Sequence, residues 1–193
     1  MESVLKLENI SKNFGGVEAL SDVDMSLQKG ECLGLMGDNG AGKSTLIKII
    51  AGNYLPTTGK IFINNNQVYF NKPIDAQKKG IEVVYQDLAL CDNLSAYENV
   101  FLGRWLSKFR IGPFKFVDFK KMQEKSHELF QELKSDTRPS QLVKTLSGGQ
   151  KQAVALSRTR LSNPDIVLMD EPTAAISVKQ VAEVLQYILK LKE

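Results

Sequence analysis

Gly37-Asp38-Asn39-Gly40-Ala41-Gly42-Lys43-Ser44-Thr45 is the stretch whose reading decides the fold. Its spacing, G-x-x-x-x-G-K followed by Ser or Thr, is that of a phosphate-binding loop. Immediately before it, Cys32-Leu33-Gly34-Leu35-Met36 has the length and apolar character of a buried strand. Immediately after it, Leu46, Ile47, Ile49 and Ile50 follow helical spacing, and Gly52 can close that helix in a left-handed conformation. Strand, glycine-rich turn and helix together predict a site. The glycines let successive backbone N–H groups point inward at phosphate oxygens, and the helix start adds its partial positive charge. Lys43 can reach the outer phosphates, and the Ser44 hydroxyl can ligate Mg²⁺.

Further out, bulk properties set bounds. A chain of 193 residues, 42% hydrophobic and 24% charged, can bury one full core with a subdomain inserted in it. The net charge of +3 is small and its Lys and Glu residues are interspersed, which argues against nucleic acid as a partner. Cys32 and Cys91 lack metal-type spacing and read as reduced thiols in a cytosolic protein, Cys32 as a small apolar strand residue. The residues from Met1 to Lys6 lack the layout of a signal peptide, and no apolar run reaches the length of a membrane span.

Along the chain, residues 4–10 read as a strand, and Val23, Met25 and Leu27 alternate as a second. Between them Phe14 reads as an exposed aromatic on a turn. This much β structure ahead of the phosphate loop is unlike a simple nucleotide kinase. Beyond Gly52, Ile61-Phe62-Ile63 and Val68-Tyr69-Phe70 predict a hairpin closed through residues 64–66, followed by a short helix over 73–79. Residues 81–85 predict a strand that delivers Gln86 at its end, where α/β sheets place ligands. From Leu88 to Leu161 the pattern is largely helical, with Ser95 and Glu98 as a capping box and Phe119, Met122, Leu129, Phe130 and Leu133 on one helical face. The basic and aromatic residues 104–116 show little periodicity and read either as a docking segment or as an ordinary surface loop. His127, the one histidine, reads as a solvated helix residue. Leu146-Ser147-Gly148-Gly149-Gln150 opens another helix that ends near Asn163-Pro164. Ile166-Val167-Leu168-Met169 then reads as a hydrophobic strand delivering Asp170 and Glu171, the usual second half of a nucleotide site. Ser177 caps a last helix with Val178, Val181, Leu185 and Ile188 on one face.

With these motifs in order, the chain resembles an ATP-binding cassette (ABC) ATPase domain over about Val4 to Lys192. Leu146-Ser147-Gly148-Gly149-Gln150 carries the resemblance, as the signature of that family. Residues 85–94 and 171–178 resemble its monosaccharide-importer branch. The resemblance implies an α/β fold: a phosphate-loop NTPase with a RecA-like core, an N-terminal antiparallel β-subdomain and an inserted α-helical subdomain. Residues 1–86 and 162–193 would form the core and β-subdomain, and residues 87–161 the helical subdomain.

It also implies a division of labour. Phe14 would stack on adenine, a contact worth about 1–3 kcal/mol that tolerates different bases. Gly37, Asp38, Asn39, Gly40, Ala41, Gly42, Lys43, Ser44 and Thr45 would hold the phosphates of ATP. Ser44, Gln86 and Asp170 would complete a Mg²⁺ shell, and Glu171 would act as general base or water positioner. Ser147, Gly148, Gly149 and Gln150 would close on ATP held by a second ATPase domain, head to tail.

The expected role is the ATP-hydrolysing subunit of an importer for a small sugar. It would sit at the cytoplasmic face of the membrane on permease subunits, with a solute-binding protein as an indirect partner. Two alternatives from other classes are a non-transport member of the superfamily, in translation or DNA repair, and an ATP-dependent dimerising module with little turnover. Two departures from the family pattern bear on activity. Ser177 stands where many members carry Asp, and the sequence reaches Glu193 before the family's switch histidine. A C-terminal truncation and slow hydrolysis are the resulting expectations.

Overall fold

The computed structural model describes residues 3–85, 87–111 and 114–170, together with positions 181, 185 and 189. Gln86, Glu171, Ser177 and most of the last expected helix lie outside the described residues. Among the described residues the chain divides into two units, the first holding residues 3–83 and 164–170, the second residues 84–163.

In the first unit, β1 (Ser3–Phe14) and β3 (Thr58–Ile63) are the inner strands of a sheet ordered β2-β1-β3-β4, with β2 (Val17–Gln28) and β4 (Asn66–Val68) at its edges. All its pairings are antiparallel. Leu5 and Leu7 keep the two-residue period, but the next apolar residue, Ile10, is out of step by one. A bulge absorbs the mismatch: the register shifts between Leu7 and Ile10, Asn9 takes φ 49°, and its N–H donates to Asp24 Oδ1 at 2.8 Å. All three apolar side chains are then buried on one face.

Against that face packs α1 (Lys43–Ile50), whose Leu46, Ile49 and Ile50 are spaced to form one stripe. Ile61, Ile63, Val68 and Phe70 complete the cluster, with Ala76 from α2 (Pro73–Gln77). β5 (Ile81–Val84) and β8 (Ile166–Met169) are neighbours in a separate two-stranded sheet. The Gly80 carbonyl accepts from Asp165 N–H at 2.9 Å and Ile166 N–H at 3.0 Å, which fixes where β8 begins. Gly80 has φ 79°, a left-handed conformation that favours glycine.

Two expectations in this unit are corrected. Cys32–Met36 forms no strand, and Cys32, Leu33, Leu35 and Met36 are exposed, Met36 at 96%. An apolar run becomes a strand only where a neighbour supplies a ladder, and no described segment pairs with this one. In the hairpin, β4 ends at Val68; Tyr69 is exposed, while Phe70 leaves the ladder to enter the core.

The second unit is helical at its centre. α3 (Ala96–Val100), α4 (Phe119–Glu132) and α5 (Gly148–Arg160) bury Val100, Phe101, Met122, Phe130, Val143, Leu146 and Val154 in one cluster. The expected capping box is present: Ser95 N–H donates to Glu98 Oε2 at 2.8 Å. One turn on, the buried Asn99 amide donates to Cys91 O and Ser95 O at 3.0 Å each and accepts from Cys91 N–H at 2.7 Å. That amide ties the preceding loop to α3 with every bond made inside the protein.

Residues 104–116 depart from the expected aperiodic segment. β6 (Ser107–Ile111) and β7 (Phe114–Val117) form an antiparallel hairpin in which Phe109 and Phe116 stack at 4.6 Å. Phe109, Phe114 and Phe116 fall on one side by register, and all three are exposed. Phe119, expected on the buried face of α4, is exposed with its ring edge-on to Trp105 at 6.4 Å; Ser126 takes the inward position instead, beside Met122 and Phe130. His127 is exposed, as expected.

Candidate functional site

Residues 37–41 run exposed into the half-buried Gly42, which is the N-cap of α1 with φ 85°. A side chain there would place Cβ 2.5 Å from Ala19 O and 2.6 Å from Leu20 Cδ2, so the loop lies directly on β2. Glycine is required at this point both by backbone conformation and by space. Ala41 N–H donates to Asp38 O at 3.1 Å, which curls the loop ahead of the helix. The Lys43 ammonium donates to Gly37 O at 2.7 Å and Asp38 O at 2.8 Å. An ammonium has three N–H donors. Two of Lys43's are therefore used to hold it across the loop, and one is left to meet a ligand.

One residue on, the Ser44 hydroxyl donates to Asp170 Oδ1 at 3.2 Å across 126 positions of sequence. β8 brings Asp170 to that point as the first polar residue after four apolar ones. A hydroxyl and a carboxylate in contact at the N-terminus of a helix form a hard-oxygen pair beside an anion-binding turn. Among the described residues no group of three or more His, Cys, Asp or Glu could hold a metal by itself.

Phe14, at the end of β1, is 43% exposed, as a stacking surface must be. The structure adds residues to it that the sequence did not flag. Tyr54 meets it edge to face, with centroids 5.3 Å apart and planes at 76°. Lys12 Nζ lies 5.0 Å from the Phe14 centroid, and Lys48 Nζ lies 5.7 Å from that of Tyr54. The only cue in the sequence was an aromatic two residues past Gly52, a position without periodicity.

In the second unit, Ser147 is the N-cap of α5. Its Oγ accepts from Gln150 N–H at 3.3 Å, while Ser147 N–H donates to Gln150 Oε1 at 2.9 Å. S-G-G-Q is thus a reciprocal capping box, a local role that its spacing alone would have predicted. Gln150 Nε2 donates further to Asp136 Oδ1 at 3.0 Å. The amides of Gly148 and Gly149 open the helix. Gln86 and Glu171 lie outside the described residues.

Comparison with known proteins gives a consistent pattern. The sequence profile of the family described as ABC transporter matches residues 20–174. The xylose/arabinose import ATP-binding protein of Sulfolobus acidocaldarius is 44% identical over the whole of this chain, which spans 75% of that protein. The fructose import ATP-binding protein of Rhizobium meliloti is 41% identical over 99% of the chain and 75% of its own length. The ribose import ATP-binding protein of Caldanaerobacter subterraneus is 40% identical over the whole chain, which spans only 38% of it. Among solved structures, an ATP-binding cassette of an ABC transporter in its ADP conformation superposes with TM-score 0.83 at 28% identity, over 100% of this chain and 78% of that one. A dimeric cassette in a post-hydrolysis state with ADP and Pi gives 0.81 at 29%, over 98% of this chain and 83% of that one.

Proposed function

Because the chain belongs to the ABC transporter family of ATP-binding cassettes, we propose that it hydrolyses ATP to drive import of a small sugar. The observation that carries the nucleotide site is the contact of Ser44 with Asp170, beside a phosphate loop across which Lys43 is held. The sugar-import relatives from three organisms support the transport reading.

In this reading, loop amides and the free donor of Lys43 take the β- and γ-phosphate oxygens. The hydroxyl and carboxylate of Ser44 and Asp170 fit Mg²⁺, which prefers oxygen ligands and retains several waters. When bound there, Mg²⁺ would neutralise negative charge on the phosphates. Phe14 supplies the base-stacking face. To Glu171, the next residue in sequence after Asp170, falls the role of orienting or deprotonating the attacking water, and to Gln86 that of serving the metal and that water.

Gly148 and Gly149, at the start of α5, present amides to a triphosphate held by a second cassette. ATP then bridges two surfaces and its hydrolysis removes the bridge, which turns phosphate chemistry into opening and closing. Two dimeric cassettes among the structural relatives support the pairing of two cassettes. Among the described residues no helix is long and apolar enough to cross a membrane, which suits a peripheral subunit on the cytoplasmic face, seated on a permease. Residues 87–161 are the assigned helical subdomain.

The test is titration with ATP followed by a multiple-turnover assay. Glu171→Gln should keep ATP binding while abolishing turnover, and Asp170→Asn should lose the Mg²⁺ dependence of binding. Retained turnover in Glu171→Gln would sink the assignment of the base.

A further inference from the structure

Phe14 and Tyr54 are 40 residues apart in sequence, and the chain joins them by several independent bonds. Thr57 N–H donates to Ser11 O at 2.8 Å, Asn13 N–H to Thr57 Oγ1 at 3.0 Å, and Lys12 Nζ to Leu55 O at 2.8 Å. The end of β1 is thereby sewn to the loop that follows α1. At its other side the same loop hangs from the helix: Asn53 N–H and Tyr54 N–H both donate to Lys48 O, at 2.8 and 3.2 Å. α1 is the helix whose first residues are Lys43 and Ser44. Tyr54 therefore stands between the aromatic at the base end and the helix at the phosphate end.

Its ring, 37% exposed, meets Phe14 at 76°, the edge-to-face arrangement in which a positive ring edge is drawn to a negative face. A lone Phe at a strand end, nearly half exposed, would otherwise sample several rotamers.

Resting on the reading of Phe14 as the base-stacking surface, we propose that Tyr54 is a positioning residue for nucleotide. It fixes the Phe14 ring at a set orientation and height relative to the phosphate loop. Base and phosphates are then matched to one rigid span, α1, so that a ligand with both parts gains and a ligand with phosphates alone does not. Lys12 Nζ lies over the Phe14 ring and Lys48 Nζ over the Tyr54 ring, so each aromatic of the pair also carries a cation contact.

The experiment compares affinity for ATP with affinity for inorganic tripolyphosphate, which has the phosphates but no base. Tyr54→Leu, and Tyr54→Met as a variant that keeps most of the side-chain volume, should weaken ATP by about threefold to tenfold, the worth of an aromatic pair. Tripolyphosphate should bind as before, and Tyr54→Phe should restore ATP. In a Phe14→Ala background, Tyr54→Leu should have no further effect, because its influence passes through that ring.

Equal weakening of both ligands in Tyr54→Leu and Tyr54→Met would mean a merely structural role and overturn the proposal. So would unchanged ATP affinity, or a full effect of Tyr54→Leu on top of Phe14→Ala. Phe14→Ala with undiminished preference for ATP over tripolyphosphate would instead sink the stacking surface itself, together with the positioning inference built on it.

Discussion

Lys43 is held by two carbonyls of its own loop, so its ammonium is directed before any ligand contributes. Lys43→Ala should remove a charge-assisted bond to phosphate worth about 3 kcal/mol, more than a hundredfold in ATP affinity by titration. Its effect on thermal stability should be small, because the side chain is not in the core. Gly42→Ala should lower stability as well as binding. It forces a left-handed alanine whose Cβ meets the Ala19 carbonyl, at a cost of at least about 2 kcal/mol and a fall of about 4–8 °C in Tm. The loop could be read from sequence because phosphate chemistry fixes both its residue types and its spacing. Asp170 was visible for the same reason, four apolar residues followed by an acid. Tyr54 was not, since its contact with Phe14 depends on how a loop is tied to a strand end, and that leaves no repeat in the sequence.

At the scale of elements, α5 and α3 both begin with a reciprocal capping box, and the two helix starts serve different ends. Ser147→Ala should cost about 1 kcal/mol, seen as a drop of a few degrees in Tm. Ser147→Asp should restore the cap and the Tm, yet should prevent ATP-dependent dimerisation, because it sets a carboxylate against the facing triphosphate. Full dimerisation of Ser147→Asp would show that the start of α5 meets no phosphate. In α3, Asn99→Ala would strand both polar groups of the Cys91 backbone and should cost about 2–3 kcal/mol in chemical denaturation. Caps and the helical stripe of α1 were legible because both are set within a few residues, and in α4 Met122 and Phe130 were legible while Phe119 and Ser126 were not. The β6–β7 hairpin was not, although Phe109, Phe114 and Phe116 share one side of it, since a short strand pair between two helices is easily taken for irregular chain. The run before the phosphate loop failed for the opposite reason: its composition suited a strand, but a ladder needs a partner that lies elsewhere in sequence.

At the scale of the molecule, each unit has its own apolar cluster, one under the β1 sheet and one among α3, α4 and α5. Phe130, fully buried in the second, should cost about 3–5 kcal/mol when truncated to Ala, a large share of the stability of such a domain. Association is the other property of this scale. With ATP and Mg²⁺, Glu171→Gln should accumulate as a species of doubled mass by light scattering, while the ADP form should not. A constant monomer mass in both nucleotides would remove the sandwich from the account. The twin hydrogen bonds to Gly80 O bear on how such a cassette can vary. They pin the first residue of β8, and from there the chain counts out four residues to Asp170, each turning the side chain over by half a revolution. The strand is in effect a ruler with its zero mark at Gly80. Deleting one residue between 166 and 169 would swing the acid to the opposite side of the sheet and present its neighbour to Ser44 instead. Loops outside the nucleotide site can lengthen or shrink without touching the chemistry, whereas this short interval has a single permitted length.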